Sequence, residues 1–210
     1  MRTGEHGLPE VRRLSADFIA HLGTHVALAG SALALAVAIG IPLAGMTADR
    51  PLPRGLLLAL AGGFRVVPSL AILTLALPLL GLGFRPALLA LVVLALPPIL
   101  VNTDVGLRSV PGATLEAARG VGMTPRQIGR RVRWPLALPV VAVGVRTAAV
   151  EVIASATLAA FIGAGGLGDY IVGGLQTSNP PELLLGAVSV AALAVLADAA
   201  LGFAQRKLAV

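Results

Sequence analysis

The chain has 210 residues, of which 57% are hydrophobic, 12% charged and 3% aromatic, with a formal net charge of +6. A mean hydropathy of +0.91 marks a chain built for lipid. So few aromatic rings among the basic residues exclude a nucleic-acid-binding face despite a pI near 11.4, and the lack of cysteine excludes disulfides, thiolate metal sites and thiol nucleophiles.

In chain order, residues 1–23 come first, with Arg2, Arg12 and Arg13 set among Glu5, Glu10 and Asp17. They predict a short interfacial helix rather than a cleaved signal peptide, because the apolar run behind them is too long and carries no clear cleavage site. Five apolar runs follow, at about 24–48, 55–81, 86–103, 135–160 and 183–203. Each approaches the roughly 20 residues that a helix needs to cross a hydrocarbon core of about 30 Å. The expectation is an all-α, polytopic membrane protein of about five transmembrane helices in a lipid bilayer. Its parts are an N-terminal extracytoplasmic or interfacial segment, 1–23, and a transmembrane domain, 24–210.

Five spans put the termini on opposite sides, and arginine placement selects the cytoplasmic one. If 47–54, 104–134 and 204–210 lie inside, they hold Arg50, Arg54, Arg108, Arg119, Arg126, Arg130, Arg131, Arg133, Arg206 and Lys207, ten of the sixteen basic residues. The N-terminus is then external and the C-terminus cytoplasmic, and the high pI is mostly a topology signal.

Between the third and fourth expected spans lies a basic stretch with turn formers, "EAARGVGMTPRQIGRRVRWPLALP" (116–139). Pro111 suits a first helical turn, and Gly120 and Gly122 are natural stops after it. Thr124-Pro125-Arg126-Gln127 has the form of a capping box, with Thr124 as N-cap and Gln127 three residues on. Trp134-Pro135 is expected to end this second helix, since the residue before a proline avoids helical geometry. The pattern predicts a cytoplasmic helix-turn-helix over about 111–134. A basic loop that only enforces topology is the alternative left open by spacing alone.

Glu116-Ala117-Ala118, Gly122, Val132 and Pro135 also fall at the spacing of the cytoplasmic signature of ABC-importer permeases, which the segment resembles. Trp134 stands where that signature usually has Leu. The resemblance implies a coupling helix that docks in a groove of an ATP-hydrolysing subunit, with Glu116, Ala117, Ala118, Gly122 and Arg126 at the contact. "VPSLAILTLALPLLGLG" (67–83), "LPPILVNTDVGLRSVP" (96–111) and "PLALPVVAVGVRTAAVEVIASATLAAFIGAGGLGDYI" (135–171) are similar to the osmoprotectant branch, whose solutes are glycine betaine, choline, carnitine and related compounds. Leu94, Pro97 and Val101 depart from that branch. "GAGGLGD" is shared with methionine permeases, so a methionine or other amino-acid-type solute is the runner-up. The resemblance implies the permease subunit of an ATP-driven importer in a bacterial-type inner or plasma membrane. Its implied partners are ABC ATPase subunits, an extracytoplasmic solute-binding protein and a second permease, identical or related.

The phosphate-binding Gly-x-x-x-x-Gly-Lys-Ser/Thr loop is missing, and the one lysine, Lys207, follows Arg206. No catalytic residue, metal ligand or cofactor is therefore expected in this chain, and ATP and Mg are expected on a separate ATPase. Gly163-Ala164-Gly165-Gly166-Leu167-Gly168 fits the G-x-G-x-x-G pattern. It follows an apolar run instead of a strand that would place it in a βαβ unit, and the next acids are Asp169, which abuts it, and Glu182. It predicts a glycine-rich bend after the fourth span, on the outer side.

Charged groups within hydrocarbon cost about 2.5–3.5 kcal/mol each at mid-helix on insertion scales, so they usually face a pathway or a partner. Arg65, Arg146 and Glu151 are the candidates here for a substrate pathway or gate. Arg146 and Glu151, five residues apart, point roughly 140° apart on a helix, so Arg65 is the expected partner of Glu151. An Arg146 that reaches to the interface, or an ion pair that only joins two helices, is the structural alternative. Pro68 and Ser69, near an expected break in the second span, and Asn102 and Thr103, at the inner end of the third, are lesser pathway candidates. A lone Ser or Thr in a membrane helix usually bonds its own backbone.

The Ala, Gly and Ser content permits close helix approach, and five thin helices favour a pathway at a subunit interface. One Trp, one Tyr and five Phe are too few and too scattered for an aromatic cage around a quaternary ammonium, which places most selectivity in the binding protein. A secondary transporter or channel would need inverted repeats or proton-coupling carboxylates. No convincing repeat is present, and Glu151 and Asp198 are the only acids within the expected spans. A membrane enzyme would need a catalytic set that those spans lack.

Overall fold

The computed structural model describes residues 7–208, with side chains for 16–207. Helix α1 (Gly7–Thr47) runs unbroken for 41 residues. The described part of the expected interfacial segment and the first span therefore form one helix, with no break at residue 23. Its threonines are absorbed locally, as the Thr24 hydroxyl donates to Ala20 O at 3.0 Å and the Thr47 hydroxyl to Leu43 O at 2.9 Å.

The second expected span is two helices, α2 (Pro51–Val66) and α3 (Ser69–Leu80), bent by 100° at Val67-Pro68. Val67 takes an extended conformation (φ −75°, ψ 123°) as the residue before a proline must. Pro68 has no N–H to continue α2, but its carbonyl accepts from Ala71 and Ile72 and so starts α3. The break expected near Pro68 within the second span is present, and 55–81 counts as one crossing only as a broken span.

Helix α4 (Phe84–Arg108) is the hub, packing against α1, α2, α3 and α7. Two short helices follow, α5 (Gly112–Gly120) and α6 (Pro125–Ile128). The expectation that Trp134-Pro135 ends the second of these is overturned. The chain stays helical through a π-type turn at Gly129–Arg133 into α7 (Trp134–Ser155), then a tighter 3-10 stretch at Ala156–Ile162. Trp134 itself is helical (φ −63°, ψ −49°). The wider turn lies directly ahead of Pro135, where the missing N–H would have left an ordinary α-turn one bond short.

The glycine-rich bend follows, with Gly163, Gly165 and Gly166 all at positive φ, and then α8 (Gly168–Gln176) and α9 (Pro180–Leu208). Four described helical stretches are long and apolar enough to cross a bilayer, Ala16–Thr47, Phe84–Arg108, Pro125–Ile162 and Pro180–Lys207. The bent α2–α3 pair makes a fifth only as a broken span.

The main core joins α1, α3, α4, α7 and α9 around fully buried Leu28, Leu91, Ile99 and Val152, with alanine between them at Ala32, Ala36, Ala87, Ala90, Ala95 and Ala148. Small side chains bring the backbones together where lipid gives no hydrophobic drive between helices. Large apolar groups such as Leu35, Leu79, Val195 and Leu196 are left exposed on the outside. This is the distribution a hydrocarbon solvent tolerates.

Candidate functional site

The basic segment folds as the sequence spacing required up to Trp134. Pro111 is the N-cap of α5, and Glu116 and Ala117 are exposed on that helix while Ala118 is buried. The helix closes in a Schellman motif. Met123 N–H donates to Ala118 O at 3.1 Å and Gly122 N–H to Arg119 O at 2.9 Å, with Gly122 left-handed at φ 83°. The next residue opens α6 with the expected capping box. Thr124 N–H donates to the Gln127 side chain at 2.8 Å, and Gln127 N–H donates back to the Thr124 hydroxyl at 3.4 Å. Arg126 is exposed on this second helix.

Two residues seat this segment on the bundle. The Arg133 guanidinium donates to Leu107 O at 2.9 Å and to both Asp49 oxygens at 2.8 Å. It thereby ties the start of α7 to the last turn of α4 and the end of α1. Its bond to Leu107 satisfies one of the carbonyls that a helix leaves open at its C-terminus. Trp134 packs into a small cluster with Ile41, Ala48, Leu107, Ala137 and Val141. It also lies so close to Gly45 that a β-carbon there would meet the indole at 2.7 Å. A cavity of about 440 Å³ opens between the segment and the bundle, lined by Leu115, Arg119, Met123, Ile128 and Arg133.

The pathway candidates divide. Arg65, Pro68, Ser69 and Glu151 line one cavity of about 330 Å³ at the α2–α3 break. Arg65 and Glu151 therefore face the same space, but the expected pairing is not formed, as no ion pair within 4.0 Å joins them. Arg146 does not reach this cavity. Its Nε and Nη2 donate to the Asp198 carboxylate on α9 at 2.5 and 2.6 Å, which makes it a helix-joining cation. Asn102 and Thr103 also lie away from it. The Asn102 amide donates to Pro98 O at 2.8 Å, and Thr103 is fully buried with its hydroxyl unpartnered.

Besides the Arg133–Asp49 and Arg146–Asp198 ties, sequence reasoning missed three more polar contacts. Arg54 on α2 holds Asp104 on α4 in a bidentate pair at 2.6 and 2.7 Å, with the Asp104 carboxylate almost wholly buried. His25 is fully buried and its Nε2 meets Ile153 O at 3.0 Å, joining α1 to α7. His21 Nε2 lies 3.3 Å from Asp169 on α8. Their partners stand 50, 128 and 148 residues away, beyond any local spacing rule; only the presence of Asp104 beside an apolar run hinted at a partner. Among the described residues, no group of three His, Asp or Glu is placed to hold a metal. The rings do not gather either. Tyr170 pairs with Phe18 at 6.0 Å, Trp134 sits in the α1–α4–α7 cluster, and Phe64 is the aromatic residue at the α2–α3 cavity.

Residues 36–210 match the profile of a family described as "Binding-protein-dependent transport system inner membrane component". The chain is 42% identical over 184 residues to the choline transport system permease protein OpuBB of Bacillus subtilis (strain 168), covering 88% of this chain and 85% of that protein. It is 41% identical to the carnitine transport permease protein OpuCB of Listeria monocytogenes, over 88% of this chain and 84% of that one. With the osmoprotectant import permease protein OsmY of Salmonella typhimurium the identity is 37%, over 96% and 86% of the two chains. Among solved structures, an inward-facing form of the MetNI methionine ABC transporter superposes with a TM-score of 0.81, covering 93% of this chain and 98% of that one. At 24% identity that likeness speaks to the fold alone.

Proposed function

Because the chain belongs to the family of inner membrane components of binding-protein-dependent transport systems, we propose that it passes osmoprotectants of the glycine betaine, choline and carnitine type inward across the membrane. The observation that carries this reading is the 39–42% identity, over most of the chain, to permeases named for those solutes, with 37% to one named for osmoprotectants. A methionine-type solute rests on the short "GAGGLGD" segment and on fold likeness at 24% identity, which argues nothing about cargo.

In this reading, an external binding protein selects and delivers the solute, and separate ATPase subunits bind ATP and Mg on the cytoplasmic side. Two permease chains stand side by side, as the exposed position of the Arg65–Glu151 cavity favours. The N-terminus is external and the C-terminus cytoplasmic, following the arginine distribution. Helices α5 and α6 form the coupling segment, with Glu116, Ala117 and Arg126 on the surface offered to the ATPase and Gly122 shaping the turn between them. Arg133 and Trp134 then carry displacement of that segment to α1 and α4 through the Asp49, Leu107 and Gly45 contacts. A rigid tie to two helices moves both at once, where a loose loop would dissipate the motion.

The test is growth at high osmolarity of a bacterial strain stripped of its own solute-uptake systems. Expression of this chain with its ATPase and binding protein is expected to restore growth when betaine, choline or carnitine is supplied. Rescue by none of them, with the assembly present in the membrane, would count against the reading.

A further inference from the structure

Arg65 on α2 and Glu151 on α7 face one cavity of about 330 Å³ without closing on each other. Among the described residues, the three arginine–aspartate pairs, Arg54–Asp104, Arg133–Asp49 and Arg146–Asp198, close to 2.5–2.8 Å. Opposite charges that close on each other join helices, whereas opposite charges held apart across a space present two poles to a guest. The space has the size of a small-molecule site, at the lower end of the roughly 300–1,000 Å³ that such sites occupy. The break at Val67-Pro68 creates the arrangement, because it ends α2 immediately after Arg65 and turns α3 away by 100°. Both charged residues are exposed and line the cavity, so a guest there can reach both.

We propose that this cavity is a transit site for zwitterionic solutes with a quaternary ammonium at one end and a carboxylate at the other. Glu151 faces the ammonium and Arg65 takes the carboxylate. The inference rests on the osmoprotectant reading and narrows it. A quaternary ammonium has no N–H to donate, so it is held by opposite charge and by carbon surfaces pressed against its methyl groups. Phe64, Val67 and Leu94 supply those surfaces at this cavity, Phe64 with a ring that attracts a cation. A carboxylate fits the planar fork of a guanidinium through two parallel hydrogen bonds, which a lysine ammonium does not reproduce. A betaine or carnitine molecule engages both poles and leaves no charge uncompensated. Choline has no carboxylate, so it engages Glu151 and leaves Arg65 unpaired. The binding protein remains the main selector in this account, and the permease adds a preference set by charge pattern instead of an aromatic cage.

The experiment is ATP-driven uptake of labelled glycine betaine, carnitine and choline by vesicles holding the whole assembly. Wild type is compared with Arg65→Gln, Arg65→Lys and Glu151→Gln at equal inserted protein. Arg65→Gln is expected to lower betaine and carnitine uptake relative to choline by about tenfold, the factor that losing a charge-assisted hydrogen bond carries. Arg65→Lys keeps the charge without the fork and is expected to fall between Arg65→Gln and wild type. Glu151→Gln is expected to lower all three solutes. Equal loss of the three in Arg65→Gln overturns the site, because a purely structural role acts on every solute alike. If Arg65→Gln fails to insert, the solute ratio in Arg65→Lys decides, and an unchanged ratio overturns the site. A wild-type assembly that moves none of the three overturns the osmoprotectant reading itself, and this site with it.

Discussion

Arg146 on α7 and Asp198 on α9 meet fork to fork at 2.5 and 2.6 Å, and the guanidinium also lies against Gly202, where an added β-carbon would meet it at 3.0 Å. The pair fastens the last long helix to the centre of the bundle at a point where both charges lie within apolar spans. Removing either partner strands the other in hydrocarbon. Arg146→Leu and Asp198→Leu are each expected to lower the amount of inserted protein and its unfolding midpoint in detergent. The double Leu variant should recover more than half of the loss, as apolar replacement of a complete pair often does. Single variants that match wild type in both readouts would contradict a joining role.

How much of this was legible in the sequence follows from the range of each interaction. The Gly122 turn and the Thr124–Gln127 box are fixed by residues within five positions of one another, and both appear as their spacing required. The bend at Pro68 was legible because a proline acts on its immediate neighbour. The same rule failed at Trp134-Pro135, since a π-type turn upstream relieved the proline without ending the helix. The helical wheel separated Arg146 from Glu151, but the expected Arg65–Glu151 pair is not closed; the two share a cavity instead. The true partner of Arg146 lies 52 residues away on α9, and such pairings follow from helix packing, which no local pattern encodes.

Gly122 has φ 83° and no heavy atom within 4 Å of where a β-carbon would stand. Its requirement is conformational rather than steric, so size should matter little. Gly122→Ala and Gly122→Leu are both expected to cost about 1 kcal/mol locally and to reduce ATP-driven transport while leaving insertion intact. Gly122→Asn, which enters the left-handed region more readily, should retain most activity. Transport that falls with side-chain volume, leaving Ala like wild type, would contradict this account of the turn.

Gly144 is the opposite case. A β-carbon there would stand 2.6 Å from Asn102 Cβ and 2.7 Å from Pro98 O, where α7 crosses α4. Gly144→Ala is expected to destabilise the chain by about 1–3 kcal/mol through overpacking, read as a lower unfolding midpoint. Gly30→Ala, with nothing within 4 Å, serves as the control and should be neutral or slightly stabilising. Equal midpoints for the two variants would contradict the close crossing.

Orientation can be read without background, because the chain contains no cysteine. A single cysteine at the Arg126 position is expected to resist an impermeant thiol reagent in intact cells and to react once the membrane is opened. Labelling in intact cells would reverse the proposed sidedness and remove α5 and α6 from reach of a cytoplasmic ATPase.

The central claim is that this chain forms the membrane passage of an ATP-driven osmoprotectant importer. It is tested most directly in sealed vesicles reconstituted with the permease, its ATPase and its binding protein, with ATP supplied on the ATPase side. Labelled glycine betaine, choline, carnitine and methionine are offered separately on the opposite side. The account predicts ATP-dependent accumulation of at least one of the first three, lost when ATP or the binding protein is omitted. Accumulation of methionine alone would contradict it, as would movement of the osmoprotectants that persists without ATP.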